Sequence, residues 1–421
     1  MTQHPAALDL ARALADRLAH PDNVPHGPGW WRQSLAHGLP GIALLHIELA
    51  ATGHRPWQRA HDWLTAAARQ PFTSGPDSHP FYGAPAFAHV LACAADHLPG
   101  SYQRALDALD AQMTMDVNRR LSAARRRMDA ERLPVLAEFD VIRGLTGYGA
   151  YLLRRTGDSD VVRAVLDYCV QLTEPLTDGR DVLPGWWTDT RPSGRMDDTF
   201  PGGHANSGMA HGIGGVLALL ALAARRGILV DGHHRVLYTI LRWLDRWQEE
   251  TGSGPAWPYW VTRDALHRGR PAAFTPRRPS WCYGTAGLAR AQQLAALALG
   301  DITRQIKAER ALVAALTDPA QLKATTDNGL CHGMASLAHI AARTAQDAHA
   351  STAGQLQATI PPLLTAICPP GTDTITAADA VVSGDAGAGL LDGAAGIALA
   401  LLTPATGTPP RTAWDACLLL T

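Results

Sequence analysis

The sequence predicts an all-α chain, a double α-barrel of seven helical hairpins with one apolar and one amphipathic helix in each. Three observations carry that prediction. A turn signal recurs seven times: a small or polar residue, a glycine, two further residues and usually a second glycine. Each copy opens a run that is apolar on every side, and such a helix must be covered by other parts of the chain. Between copies lie stretches whose apolar residues fall on one helical face only.

Taken in order, Met1 to His20 sets apolar residues against Asp9, Arg12, Asp16 and Arg17. It lacks the uninterrupted apolar core of a signal peptide and predicts an amphipathic helix. The first turn, Ala36-His37-Gly38-Leu39-Pro40-Gly41, leads into Ile42-Ala43-Leu44-Leu45. A degenerate second copy at Phe81–Ala86 leads into Phe87–Ala94, and further copies follow at Ile142–Gly147 and Ala210–Gly215. Trp281-Cys282-Tyr283-Gly284 with Gly287 opens the fifth, Leu330-Cys331-His332-Gly333 the sixth, and Leu391-Asp392-Gly393 with Gly396 the seventh. The first glycines stand between 45 and 72 residues apart. In His234–Trp247, Val236, Leu237, Ile240, Leu241, Leu244 and Trp247 share one face, and Asp160–Leu172, Thr303–Leu316 and Ser351–Ile367 repeat that spacing. The last is expected to break or bend at Pro361-Pro362. Apolar helices inside and amphipathic ones outside make one domain of residues 1–421. Glycines at the inner helix starts allow close approach of the backbone there.

Two longer stretches, 181–205 and 251–280, are rich in Pro, Gly and Trp. They predict loops folded over one mouth of the barrel, with a short strand at Trp257–Thr262. Val117–Leu133 carries Arg119, Arg120, Arg125, Arg126 and Arg127 on a helical stretch. It predicts a solvated face, with docking of an acidic peptide as the functional alternative.

Acidic and basic residues nearly balance, 38 against 37. A nucleic-acid or anionic-membrane partner would want a basic face, so neither is expected. No apolar run reaches the length of a transmembrane helix. Six cysteines in 421 residues do not form a disulfide framework. A reducing compartment, the cytoplasm, is therefore expected.

Cys282, Cys331 and His332 each sit at a helix entrance, and together make a three-donor zinc set with one position open. The partial positive charge of a helix N-terminus favours thiolate. Two buried core thiols and an unrelated histidine are the structural alternative; recurrence at the same point of two successive repeats argues against it. His211 holds the preceding entrance and suits acid/base work near neutral pH, or a backbone hydrogen bond. Asp140 precedes the third copy, where it is able to orient such a histidine or relay its proton. Arg278 and Tyr283 flank Cys282, and a guanidinium there suits a developing oxyanion. Each of these is equally a structural hydrogen-bonding group when taken alone.

In combination, Trp281-Cys282-Tyr283-Gly284 with Gly287, Cys331-His332-Gly333 and Asn206-x-Gly208-x-Ala210-His211-Gly212-Ile213-x-Gly215 resemble the LanC family of lanthionine synthetases, the lanthipeptide cyclases. The resemblance runs from about the first repeat to the last. It implies an α,α-toroid of seven inner and seven outer helices, one Zn2+, and cyclisation of a precursor (leader plus core) peptide whose Ser and Thr residues have been dehydrated. Position by position, Cys282, Cys331 and His332 match the zinc ligands, His211 and Asp140 the acid/base pair, and Arg278 and Tyr283 further active-site positions. A separate dehydratase and a transporter are implied as partners, and with no dehydratase region preceding it the chain resembles the stand-alone form. Ser336, where the family usually has glycine, and the degenerate second repeat depart from the pattern. Two rivals remain: a non-catalytic zinc/thiol peptide-binding scaffold, and a prenyltransferase-like enzyme. The latter needs an aspartate ligand, for which the sequence offers no clear candidate.

Overall fold

Glycine stands immediately before each of seven helices: Leu39–Ala51, Ala84–His97, Leu145–Arg155, Ile213–Arg225, Thr285–Leu299, Met334–Gln346 and Ala394–Thr406. None of these seven starts has a side-chain cap. The apolar runs after the glycines are buried almost without interruption, as at Ile213–Ala223 and Ala394–Ala405. The computed structural model describes residues 4–24, 28–69, 71–191, 200–271 and 277–421. Parts of both long loops, 192–199 and 272–276, therefore lie outside the described residues.

The chain divides into two units. One comprises Met1–Gln112 with Thr325–Ala416 and Thr421, the other Met113–Ala324 with Cys417–Leu420. The boundary falls inside the long helix Gln103–Asp129.

In the first unit, Pro5–Arg17, Trp57–Ala68 and Ala350–Ile367 pack as amphipathic helices against Ala394–Thr406, Leu39–Ala51 and Met334–Gln346 respectively. Polar groups buried there are matched, as buried polar groups must be. The Leu18 carbonyl accepts Trp63 Nε1–H at 2.9 Å and meets His46 Nε2 at 2.6 Å. The Glu48 carboxylate accepts the N–H groups of Arg411 and Thr412 at 2.8 and 3.0 Å. Successive entrance turns are tied together through the backbone. Leu35 N–H donates to Phe81 O at 2.9 Å, Leu390 N–H to Ala36 O at 2.7 Å, and Cys331 N–H to Leu391 O at 2.7 Å.

The second unit repeats the design. Asp160–Gln171, His233–Trp247 and Ile302–Thr317 accompany the buried helices Leu145–Arg155, Ile213–Arg225 and Thr285–Leu299. Here Val141 N–H donates to Ala210 O at 3.0 Å and Ala210 N–H to Cys282 O at 3.4 Å. A three-stranded antiparallel sheet joins the two long loops: Trp187–Thr188, His204–Asn206 and Trp260–Thr262, in that spatial order. Ala205 faces Trp187 on one side and Val261 on the other.

Three expectations need correction. The strand begins at Trp260, three residues later than predicted, because Trp257 turns inward and donates its Nε1–H to Leu244 O at 3.0 Å. Ala350–Ile367 runs unbroken through Pro361 and Pro362. The carbonyls deprived of their partners belong to Gln357 and Ala358, which are exposed, so water is able to take the place of the missing N–H groups. The arginine row is a solvated face only in part: Arg119, Arg125 and Arg126 are exposed, as expected, whereas the other two turn inward. Arg127 is 8% exposed and donates to Glu138 at 2.6 Å, and Arg120 lies 5.0 Å over the Tyr148 ring. No described helix is long and apolar enough to cross a membrane.

Burial pushes His46 down to about 4 and His204, in the middle strand, down to about 4 as well. Both imidazoles are therefore neutral in the folded chain at pH values where the unfolded chain, near 6.5, takes up a proton. Their stabilising contribution is complete above pH 6.5 and is lost as the pH falls towards 4. Urea midpoints measured from pH 7 to pH 5 should fall, by at most about 2 kcal/mol of stability per imidazole. His46→Gln should flatten that slope; an unchanged slope would show that His46 is not held neutral.

Candidate functional site

The short helix Leu136–Phe139 ends at Asp140, whose carboxylate is 2% exposed. Its Oδ1 accepts the N–H groups of Arg143 at 2.6 Å and Gly144 at 2.9 Å, closing the turn that starts the next helix. The other oxygen, Oδ2, lies 2.6 Å from His211 Nδ1. A carboxylate accepts, so Nδ1 is the donor of this pair and Nε2 is the outward nitrogen, placed to exchange a proton. On its far side the imidazole stacks on Tyr283, with ring centres 6.3 Å apart and planes at 28°.

Tyr283 is held from several directions. Asn206 Nδ2–H donates to its hydroxyl at 3.1 Å, while Asn206 Oδ1 accepts Gly208 N–H at 2.9 Å. Tyr259 and Trp260, from the second long loop, flank its ring at 5.4 and 5.8 Å. Gly208 is required for this approach. A Cβ there would stand 2.5 Å from Cys282 O and 2.8 Å from the Tyr283 ring, far inside contact distance.

Cys282 is 7% exposed, with its Sγ 3.6 Å from Ser280 Oγ. Ser280 Oγ also accepts Tyr283 N–H at 3.2 Å and bonds the Tyr283 carbonyl. Arg278 lies four residues before Cys282, and its carbonyl accepts the Tyr259 hydroxyl at 2.8 Å. That hydroxyl is pushed up to about 12, first by burial and then by Cys282, against the opposing pull of Arg278 and Arg277. Asp140, His211, Arg278, Cys282 and Tyr283 thus form one neighbourhood in the second unit. Asn206, Tyr259 and Ser280, which the sequence did not single out as functional, complete it.

In the first unit Cys331 and His332 stand beside two further residues that sequence reasoning missed. Asp327 Oδ2 lies 2.9 Å from His332 Nδ1, and Asp327 Oδ1 accepts Gly329 N–H at 2.9 Å. This fixes the ring and aims Nε2 away, towards Asp392 Oδ1 at 3.4 Å. Donor atoms of Cys331, His332 and Asp392 all lie within 4.8 Å of one another. A signal for both residues was present. Asp327-x-Gly329-x-x-x-Gly333 has the same spacing as Asn206-x-Gly208-x-x-x-Gly212, and Asp392 precedes its glycine as His332 and His211 precede theirs.

Thiolate, imidazole and carboxylate at this spacing suit a zinc ion. A ligating imidazole whose other nitrogen donates to a carboxylate is the usual support for such a site. Asp392 Oδ1 is buried without a hydrogen-bond partner, as expected of an atom that faces a cation. The aspartate that a prenyltransferase-like site would require thus has a candidate.

A family model described as "Lanthionine synthetase C-like protein" matches residues 29–419. "Nisin biosynthesis protein NisC" of Lactococcus lactis subsp. lactis is 25% identical over 319 residues, spanning 73% of this chain and 72% of the relative. The solved structure of "Nisin cyclase" superposes with a TM-score of 0.72 over 98% of this chain and 96% of its own, at 20% identity. That likeness speaks for the fold, an α,α-toroid.

The Asp140–His211 geometry is open to direct measurement. Asp140→Asn keeps an oxygen for the Arg143 and Gly144 N–H groups but turns an amide N–H towards His211 Nδ1. Nitrogen NMR of labelled imidazole should show the proton on Nδ1 in the native chain and on Nε2 in the variant. A proton on Nδ1 in both would mean that Asp140 does not set the tautomer.

Proposed function

Because the chain belongs to the lanthionine synthetase C-like family, we propose that it closes thioether rings in a peptide, adding a cysteine thiol across the double bond of dehydroalanine or dehydrobutyrine. The observation that carries this is the His211–Asp140 pair, 2.6 Å apart, stacked on Tyr283 next to Cys282. Cys282, Cys331 and His332 are the proposed zinc ligands. Cys331 and His332 are supported by their shared donor cluster, and Cys282 by its place in the matching Trp-Cys-Tyr-Gly motif. When bound, zinc would supply the Lewis acidity that keeps a peptide thiol deprotonated at neutral pH.

The remaining chemistry belongs to side chains. Sulfur bonds to the β-carbon, the double-bond electrons move to the α-carbon and its carbonyl, and an enolate results. Arg278 is proposed to face that developing oxyanion. His211 takes up the proton that the thiol loses and returns it to the α-carbon, so that the S–H broken and the C–H formed balance. Asp140 steadies the imidazole in either charge state, and Tyr283 holds its plane.

The substrate in this reading is a dehydrated precursor with leader and core segments. A separate dehydratase supplies it and a transporter removes the product. The reading takes 1–421 as a single domain and the cytoplasm as its compartment, where thiols persist; no disulfide joins any of the six cysteines.

Purified chain should carry about one zinc, as a single donor set implies. Cys331→Ala should lose most of it. Incubation with dehydrated precursor, followed by thiol blocking and mass spectrometry, should show ring closure, which neither a passive scaffold nor a prenyltransferase would produce. His211→Asn should keep zinc and peptide binding while slowing closure by about 10²–10⁴-fold. Loss of zinc in that variant would make His211 a ligand or support, and rings at the native rate would remove it from proton transfer.

A further inference from the structure

We propose that Asp392 is also a metal ligand, its Oδ1 joining Cys331 and His332 around the ion and yielding its position to an incoming thiol. The inference rests on the zinc reading but not on ring formation. Its first support is a length. Nitrogen and oxygen donors bind zinc at about 2.0–2.2 Å, so two of them on a tetrahedral ion stand about 3.4 Å apart. His332 Nε2 and Asp392 Oδ1 are 3.4 Å apart.

The second support is orientation. His332 Nδ1 is turned to Asp327 at 2.9 Å, so Nε2 is the outward nitrogen and points towards Asp392 Oδ1. Donor atoms of Cys331, His332 and Asp392 all lie within 4.8 Å of one another, close enough to share one cation. Position in the repeat is the third support. Asp392 precedes Gly393 as His332 precedes Gly333, and the bond from Cys331 N–H to Leu391 O, 2.7 Å, clamps the two turns side by side. The side chains that follow therefore project in register.

A carboxylate is a harder donor than sulfur, so a thiolate should displace it readily. Asp392 would thus close the metal to bystander ligands until a thiol arrives.

Zinc affinity is to be measured by competition with a chromogenic chelator for the native chain, Asp392→Asn and Asp392→Ala. The visible absorption of the cobalt(II)-substituted forms is to be recorded alongside, before and after 2-mercaptoethanol. Both variants should bind zinc at least about tenfold more weakly, and their cobalt bands should differ from the native ones. Asp392→Ala should take up 2-mercaptoethanol at lower concentration, since no carboxylate has to leave. Asp392→Asn keeps the side chain's shape, so a loss seen there is not a packing defect. Native affinity with native cobalt bands in both variants overturns the proposal, whether or not the enzyme forms rings. Altered metal binding in a chain that forms no rings would uphold it while refuting the cyclase reading.

Discussion

Backbone hydrogen bonds between successive entrance turns are the constraint on which the rest of the structure depends. In one unit they run from Cys331 to Leu391, from Leu390 to Ala36 and from Leu35 to Phe81; in the other from Val141 to Ala210 and from Ala210 to Cys282. Each satisfies main-chain groups that a helix start would otherwise leave open. Such bonds fix a distance between turns that side-chain packing alone would leave soft. They also explain why the turns tolerate so little bulk, since Gly208 lies where any Cβ would meet the Cys282 carbonyl.

Within that frame two carboxylates do the same job. Asp140 and Asp327 each spend one oxygen on a nearby main-chain N–H and the other on an imidazole Nδ1. Burying the Asp140 carboxylate is costly in itself, and two N–H donors together with the imidazole offset that cost. Each imidazole is thereby held with Nδ1 turned to a carboxylate and Nε2 outermost. In the proposed mechanism the same local device would serve proton transfer at His211 and metal ligation at His332.

Much of this was legible in the sequence because it is local. Glycine followed by an all-apolar run predicts a buried helix, and one-faced spacing identifies its covering partner. Recurrence of Cys282 and Cys331 at the same point of the repeat marked them out before any geometry was known. What escaped was non-local. Nothing in the neighbourhood of Asp392 says that its turn is bonded to that of Cys331, sixty-odd residues earlier. The sheet that joins His204–Asn206 to Trp260–Thr262 depends equally on a pairing across two loops. The helix through Pro361 and Pro362 persists because the carbonyls they leave bare belong to residues on its exposed side, a fact of tertiary placement.

The absence of side-chain caps at the seven glycine starts has a consequence for how such a protein changes over time. Because the cap position of each start is a glycine, the residue just before it carries no capping role of its own, even where a more distant side chain such as Asp140 closes the turn. Those seven slots hold His37, Tyr82, Arg143, His211, Tyr283, His332 and Asp392. They include acid, base, aromatic and cation on one repeated backbone. A duplicated hairpin could thus exchange its chemistry by a single substitution while the architecture stayed as it was, so that scaffold and reactivity evolve on separate clocks.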